Sequence, residues 1–457
     1  MMSDALPEAT PESHGLPAAA VLRLIDDLEQ SGLDPHALVI ARHGHVLFRG
    51  AWQPWTPHTQ SLVYSVSKTF TAIAIGLLES DGLIDVTAPV DRYLDLPNPH
   101  GLTVRHLLTM NTGHSAQQVE QLPFDAAALL TTAPAHIPGE HFAYNSPASF
   151  ALSAIATAIT GRSLTDLLKG RLFDPLGIGN RWWKPLDGID EGFSGLHLDI
   201  GDLARIGIAL ADDGVFDGRQ VIPRDFIRAA TTPWSDTSGS ESSTLDWTLG
   251  YGYQLWRSRH GFRLDGAYGQ FSLIVPESGV VVAYQGATTR TQETLNAIWR
   301  LVESFQDSAL AEDPADASRL ADRIAALDSW RSRDRLIVDA TPVPDAADWS
   351  LTDAGEGRWM LTTPHGPIEV DEDWSRTVLG DVDGDVDGDG QESLAVAARG
   401  EARADGSVLV HLVVPTSPHR LIITRDAEGL HLGWHAVPLW APVIDTLLVP
   451  EHVARVY

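Results

Sequence analysis

The sequence predicts an α/β fold: one antiparallel sheet covered by helices, its strands supplied from both ends of a region of about 300 residues, followed by a small β domain. Three observations lead there. The chain has 457 residues, beyond the ~250 to 300 at which a single core stops growing. β-prone runs occur near its start and again before residue 290, with mainly helical periodicity between them. Past residue 340 the pattern changes to short β-prone runs separated by turn residues.

Taken in order, Ala18 to Gln30 repeats apolar residues at Val21, Leu22, Ile25 and Leu28, the helical period. Ala37 to Ala41 and His45 to Arg49 are β-prone runs flanking the turn residues His43 and Gly44, which predicts a hairpin. From Ser65 to about Ala230 the pattern is mainly helical, with Gly161 and Gly214 as stop signals. Gln270 to Val275 and Val280 to Tyr284 form a second hairpin around Pro276 to Gly279, and Arg290 to Phe305 reads as an amphipathic helix. Residues 308–340, rich in Asp, Ala and Pro around one short helix at Ala317 to Trp330, are expected to link the domains. Residues 341–457 are expected to form the small, mainly β domain, with strands at Trp359 to Thr363, Leu394 to Ala398, Ser407 to Val414, Leu421 to Thr424 and Leu430 to Trp434.

Composition narrows the function classes. A formal charge of −29 argues against nucleic acid as a partner, because a polyanion footprint needs clustered Lys and Arg. The absence of cysteine removes disulfides, thiolate metal sites and cysteine nucleophiles. No run of about 18 apolar residues occurs, so no membrane span is expected. Residues 1–17 are polar and lack the basic-then-apolar pattern of an export signal, which points to the cytoplasm. Lysine occurs only at positions 68, 169 and 184, and that scarcity makes each one informative.

Lys68 stands three residues after Ser65 in Tyr64-Ser65-Val66-Ser67-Lys68, directly before the helix-compatible stretch Thr71 to Leu78. This spacing places both side chains on one helical face, with the serine at a helix N-terminus that favours developing negative charge. A serine hydroxyl needs a neighbour to take its proton, and a lysine in a poorly solvated pocket has its pKa lowered enough to do so. A serine and lysine so spaced arise by chance in roughly one such chain in five, so independent support is needed. One support is Tyr144-Asn145-Ser146, which follows the turn at Pro138 and Gly139 and precedes a helix at Ala148 to Ile159. A tyrosine beside Lys68 is expected to ionise more readily and act as general base, with Ser146 donating a hydrogen bond in the same relay. The other is Leu264-Asp265-Gly266-Ala267-Tyr268, leading into an apolar strand. Its glycine admits substrate to the strand edge, and the N–H groups of Ala267 and Ser65 are candidates for an oxyanion hole.

With these residues in place, the chain resembles the serine β-lactamase and penicillin-binding-protein family, in particular its class C and family VIII esterase branch. The resemblance runs over about residues 12 to 305 and includes Leu107 to Gly113, Leu172 to Gly177 and Gly250 to Tyr253. It implies a serine β-lactamase-like sandwich with a helical subdomain over 12–307. It also implies Ser65 as nucleophile, Lys68 and Tyr144 as proton-handling partners, the Ala267 N–H in the oxyanion hole, and no cofactor. The expected substrate is a small ester or amide. The alternatives are a β-lactamase, a D-aminopeptidase or amidase, and, outside enzymes, a penicillin-binding-like sensor or binding protein.

One departure bears on substrate. Where the family carries Lys-Thr-Gly or His-x-Gly, this chain has Leu264-Asp265-Gly266, so the cation that receives a substrate carboxylate is replaced and Asp265 is expected to favour a neutral or cationic substrate. Tyr64, Trp182 and Tyr268 are candidate pocket residues, alongside Trp183, Tyr251, Tyr253 and Trp256, although buried aromatics are more often core. No G-x-S-x-G elbow presents a serine to His106, His114, His141 or His260, so a histidine triad is not expected. Asp385, Asp387 and Asp389 alternate as in a calcium loop, but Val396 stands where the closing glutamate belongs, so no metal site is assigned and a solvated turn is expected.

Overall fold

The computed structural model describes residues 6–179, 181–239, 244–336, 340–343, 346–380 and 392–455. Helix α1 spans Ala18–Gln30, followed by strands β1 (Pro35–Arg42) and β2 (His45–Ala51). The turn between the strands uses His43 and Gly44, both at positive φ (49° and 78°), the backbone that a two-residue hairpin demands. Helix α2 (Ser67–Ser80) is buried on all sides from Ser67 to Leu78, as a helix apolar around most of its circumference must be. Helix α3 covers Ser146–Thr160 and α4 covers Ile200–Ala211. Strands β3 (Trp256–Arg257), β4 (Phe262–Gly266), β5 (Gln270–Val275) and β6 (Val280–Gly286) precede helix α5 (Thr291–Val302).

Six strands form one sheet in the order β3-β4-β5-β6-β1-β2, so the N-terminal hairpin joins the strands that close the region. β4 pairs antiparallel with both β3 and β5. Helix α4 packs on β5, where the Ser272 hydroxyl donates to the Leu203 carbonyl at 3.0 Å. The fold is of the expected α/β class. Between α3 and β3 the described residues also form three antiparallel pairs of two- and three-residue strands, among them Trp182–Trp183 with Leu196–Leu198. Such strands are too short to impose a period on the sequence.

By its contacts the chain divides into two compact units. The first comprises Met1–Ala9, Val39–Leu47 and Val63–Ala283, and the second Thr10–Leu38, Phe48–Leu62 and Tyr284–Tyr457. In the second unit, α1 packs on α5 and on a helix α6 (Pro314–Ala325). The segment expected to carry a helix at Ala317 to Trp330 is therefore helical earlier, because Asp313 caps the amide groups of Ala315 and Asp316 and Pro314 fills the first turn. The same unit holds a three-stranded sheet β7-β8-β9 (Ser350–Gly355, Arg358–Thr363, Gly366–Val370). Its larger sheet contains β10 (Ser375–Gly380), β11 (Glu392–Ala402), β12 (Val408–Val413), β13 (Arg420–Arg425) and β14 (Leu430–Trp434), ordered β14-β13-β12-β11-β10. Trp359, Leu361, Val370, Val396, Val410, Ile423 and Trp434 share its core.

A charged cluster lies inside this second unit. Arg420 is fully buried and donates through Nη2 to Asp34 Oδ1 at 2.5 Å, while His36 stacks on Trp55 at 3.5 Å and lies 3.5 Å from the other Asp34 oxygen. Burial alone raises the Asp34 carboxyl, but Arg420, His36 and His435 together hold it well below the carboxylate range. Among the described residues no helix is long and apolar enough to cross a membrane, and no three His, Asp or Glu side chains are grouped to hold a metal. Asp385, Asp387 and Asp389 lie outside the described residues.

Candidate active site

Ser65 sits in a 3-10 turn, Tyr64–Val66, that runs directly into α2. Two bonds anchor this turn to the strand Leu196–Leu198: the Val63 N–H donates to the Leu196 carbonyl at 2.9 Å, and the Leu196 N–H donates to the Ser67 hydroxyl at 3.2 Å. Tyr64 adopts φ 47°, a left-handed conformation costly for a residue with a side chain. It is held by burial and by an edge-on contact with Tyr268, ring centres 5.5 Å apart. Lys68 lies one helical turn beyond Ser65, as the three-residue spacing requires. Its ammonium nitrogen is 3.0 Å from Ser65 Oγ and donates to the Phe193 carbonyl at 2.8 Å. Lys68 is 1% exposed. Burial brings its pKa down to about 7, against the opposing pull of Glu191.

Tyr144 also reaches the serine. Its loop is pinned where the Ala143 N–H donates to the Met110 carbonyl at 3.3 Å, and Asn145 then caps α3. The Asn145 side chain accepts from the Ala148 N–H at 2.9 Å and donates to Thr112 Oγ1 at 3.0 Å. The Tyr144 hydroxyl shares a hydrogen bond with Ser65, and Lys68 Nζ stands 4.9 Å from the ring centre. The ring stacks on Trp256 at 5.8 Å and meets Tyr251 edge-on, while 37% of the residue remains exposed. Burial raises the phenol above its ordinary value, the Ser65 bond offsets part of this, and the Asp265 charge adds to it. The direction is opposite to that expected from proximity to Lys68, because burial is the largest influence on the phenol. Ser146 is the first residue of α3, and among the described residues its hydroxyl makes no bond to Ser65, Lys68 or Tyr144.

The third segment is β4. A side chain at Gly266 would place Cβ 2.3 Å from the Val63 carbonyl oxygen, so only glycine lets the strand end lie this close to the serine turn. Ala267 follows, and Tyr268 and Gly269 turn the chain at φ 64° and 90° into β5. Asp265 accepts from Arg263 Nε at 2.8 Å and bonds Trp247. Burial raises its carboxyl, with Arg263 opposing. Of the aromatic candidates, Tyr64 and Tyr268 meet beside the serine turn, whereas Trp182 is brought against His197, ring centres 5.0 Å apart.

Three contributors escaped the sequence reading. The Phe193 carbonyl that receives Lys68 is backbone, so residue type carries no trace of it. Glu191 is buried near Lys68 and Lys184, and burial brings its pKa up to about 7. Its only sequence signal was an acid two residues before Phe193. Gln254, at φ 56°, ties the helices together: its side-chain oxygen accepts from Ser149 Oγ of α3 at 2.6 Å, and its backbone oxygen accepts from Thr69 Oγ1 of α2 at 2.7 Å. Its amide nitrogen donates to the Leu107 and Leu108 carbonyls at 3.0 and 3.1 Å. A cavity of about 780 Å³ among Leu176, Arg205, Phe216 and Val281 includes none of Ser65, Lys68 or Tyr144 in its lining, so chemistry rather than cavity size identifies the candidate site.

Comparison with known proteins places the chain in a family. A family model described as Beta-lactamase matches residues 21–305. The chain is 31% identical over 137 residues to the Esterase/beta-lactamase LipL of Mycobacterium tuberculosis, covering 28% of this chain and 32% of that protein. To a D-aminopeptidase of Brucella canis it is 29% identical over 160 residues, covering 30% and 31% respectively. The match thus spans about a third of the length of either relative. The octameric penicillin-binding protein homologue from Pyrococcus abyssi superposes with a TM-score of 0.51 at 15% identity, covering 91% of this chain and 99% of that one. That likeness concerns the fold.

Proposed function

The chain belongs to the beta-lactamase family, whose members include hydrolases, and from that membership we propose that it is a serine hydrolase acting through an acyl-enzyme on a small ester or amide. The observation that carries the reading is the 3.0 Å approach of Lys68 Nζ to Ser65 Oγ, with the lysine brought down to about 7. At neutral pH a large fraction of Lys68 is then a neutral amine, able to accept the serine proton. Tyr144, held protonated, serves as a donor rather than as the primary base.

In the proposed sequence Ser65 Oγ attacks the acyl carbon and its proton passes to Lys68. The carbonyl oxygen takes up negative charge against the N–H groups of Ser65 and Ala267. Collapse breaks the bond to the leaving group, which receives a proton through Tyr144, and Tyr144 is reprotonated from Lys68. Water then attacks the ester on Ser65, gives its proton to the neutral Lys68, and the carboxylic acid departs as Ser65 regains its proton. Ester and amide substrates differ only in the atom that leaves. The relatives named for esterase and aminopeptidase activity therefore support one acyl-transfer scheme.

The test is stoichiometric labelling of Ser65 by a fluorophosphonate, together with steady turnover of short-chain nitrophenyl esters, both lost in Ser65→Ala. Labelling without turnover points instead to a penicillin-binding-like sensor. Turnover that survives Ser65→Ala sinks the proposal.

A further inference from the structure

Resting on the reading of Ser65 as the acylated residue, we propose that the Arg263–Asp265 pair sets the specificity of the site: Asp265 fills from within the position at which Arg263 would hold a substrate carboxylate, so the enzyme selects acyl groups that carry no negative charge.

Residues 263 and 265 alternate onto one face of β4, and Asp265 directly precedes Gly266, whose backbone abuts the Ser65 turn. Arg263 is fully buried and fixed. Its Nη1 donates to the Asp246 carbonyl at 2.9 Å, the Arg257 carbonyl at 2.9 Å and Ser258 Oγ at 3.1 Å, and its guanidinium lies 4.6 Å from the centre of the Trp247 ring. Its Nε meets Asp265 at 2.8 Å, whereas Nη2 is buried with no hydrogen-bond partner among the described residues. The neighbouring carboxylate, Asp246, is engaged by Arg259 at 2.9 Å. Asp265 is thus the carboxylate that Arg263 holds.

The two partners differ in access. The Asp265 side chain is 11% exposed and that of Arg263 is 0% exposed, so of the two it is the carboxylate that solvent and solutes reach. Its charge is felt at Tyr144 and Tyr251, where it disfavours ionisation of both phenols. An arriving anionic acyl group meets the carboxylate first and is repelled, and the charge of the cation behind is already offset by Asp265. A neutral acyl group meets no such penalty.

The experiment compares nitrophenyl butyrate with nitrophenyl hydrogen succinate, esters of equal chain length that differ in one carboxylate. The ratio of kcat/KM for the anionic ester to that for the neutral one is taken within each variant, so changes in overall activity cancel. The wild type is expected to prefer the neutral ester by roughly tenfold or more. Asp265→Asn, which keeps an acceptor for Arg263 but removes the charge, raises the anionic-to-neutral ratio by roughly tenfold. Asp265→Ala also vacates the carboxylate's volume and raises the ratio at least as far. If that variant fails to fold, Asp265→Asn carries the test. Adding Arg263→Gln to Asp265→Asn removes the cation and cancels most of the gain. A wild-type ratio near one, an unmoved ratio in Asp265→Asn, or a gain that survives Arg263→Gln overturns the proposal while leaving the hydrolase reading intact, provided butyrate is turned over. Absence of turnover and of Ser65 labelling overturns both.

Discussion

The protonation state of Lys68 governs the proposed chemistry, and pH is the perturbation that reads it. With a value of about 7, the neutral fraction of Lys68 climbs from about a tenth at pH 6 to about nine tenths at pH 8. The second-order rate of Ser65 labelling by an uncharged fluorophosphonate is therefore expected to rise roughly tenfold across that interval and to level off above it. A lysine at its ordinary 10.5 gives a different curve: a rise of roughly a hundredfold over the same interval, with no plateau below pH 10. Glu191 supplies an internal control. Its carboxylate favours the charged ammonium, so Glu191→Gln lowers the Lys68 pKa and moves the plateau to lower pH. Because burial also brings Glu191 up to about 7, the wild-type midpoint belongs to the pair, and the variant reduces it to a single titration. The assay is labelling rate against pH, with the modified residue identified by mass spectrometry. A rate still climbing past pH 9, a flat profile, or a Glu191→Gln profile displaced to higher pH refutes the reasoning.

Other outcomes follow from the same geometry. Gly266→Ala forces a methyl toward the Val63 carbonyl, and the displaced Ala267 N–H is expected to lower kcat by roughly 10²-fold; steady-state kinetics on a nitrophenyl ester check it, and an unchanged kcat counts against the oxyanion assignment. Tyr144→Phe keeps the stack on Trp256 but loses the hydroxyl, so kcat falls by about 10² to 10⁴ with little change in KM. Arg420→Met strands the buried Asp34 carboxylate and is expected to cost about 3–5 kcal/mol in urea unfolding, much of it recovered when Asp34→Leu is added. Burial brings His36 and His197 down to about 4 and His419 down to about 3. Their folded pKa values lie below the unfolded 6.5, so stability is complete above pH 6.5 and drains away as pH falls through 4. The melting temperature should track that window, with a shallower slope in His419→Gln.

How much of this was legible depended on whether the information was local. The helix at Ala18–Gln30 and the hairpin at His43 and Gly44 emerged as expected, because one apolar stripe and one pair of left-handed turn residues suffice to specify them. Ser350–Gly355 and Ser375–Gly380 were not anticipated: the first buries only Leu351 and the second only Leu379, so neither shows the alternation that announces a strand. At the candidate site, Ser65, Lys68 and Tyr144 were found by residue type and spacing, and the fold brings all three together. The direction in which the Tyr144 phenol is shifted was not legible, since the sequence shows a neighbouring lysine but not the burial that raises the phenol. Asp265 was expected to favour a neutral or cationic substrate, with no partner named for it. The cation that engages it lies only two residues away, yet recognising the pair requires knowing that the strand turns both side chains to one side.

Gln254 bears on how the proposed machinery behaves as its protons move. Lys68 and Glu191 both change charge near neutrality, and a framework hung on either would flex with each protonation. The helix that carries Lys68 and the helix that begins after Tyr144 are instead joined through the backbone carbonyl and the side-chain carboxamide of Gln254, groups that neither gain nor lose a proton anywhere in the range where proteins stay folded. The spacing between base and tyrosine is thereby insulated from the titration it serves, so acidity can alter how many molecules are competent without altering the shape of those that are.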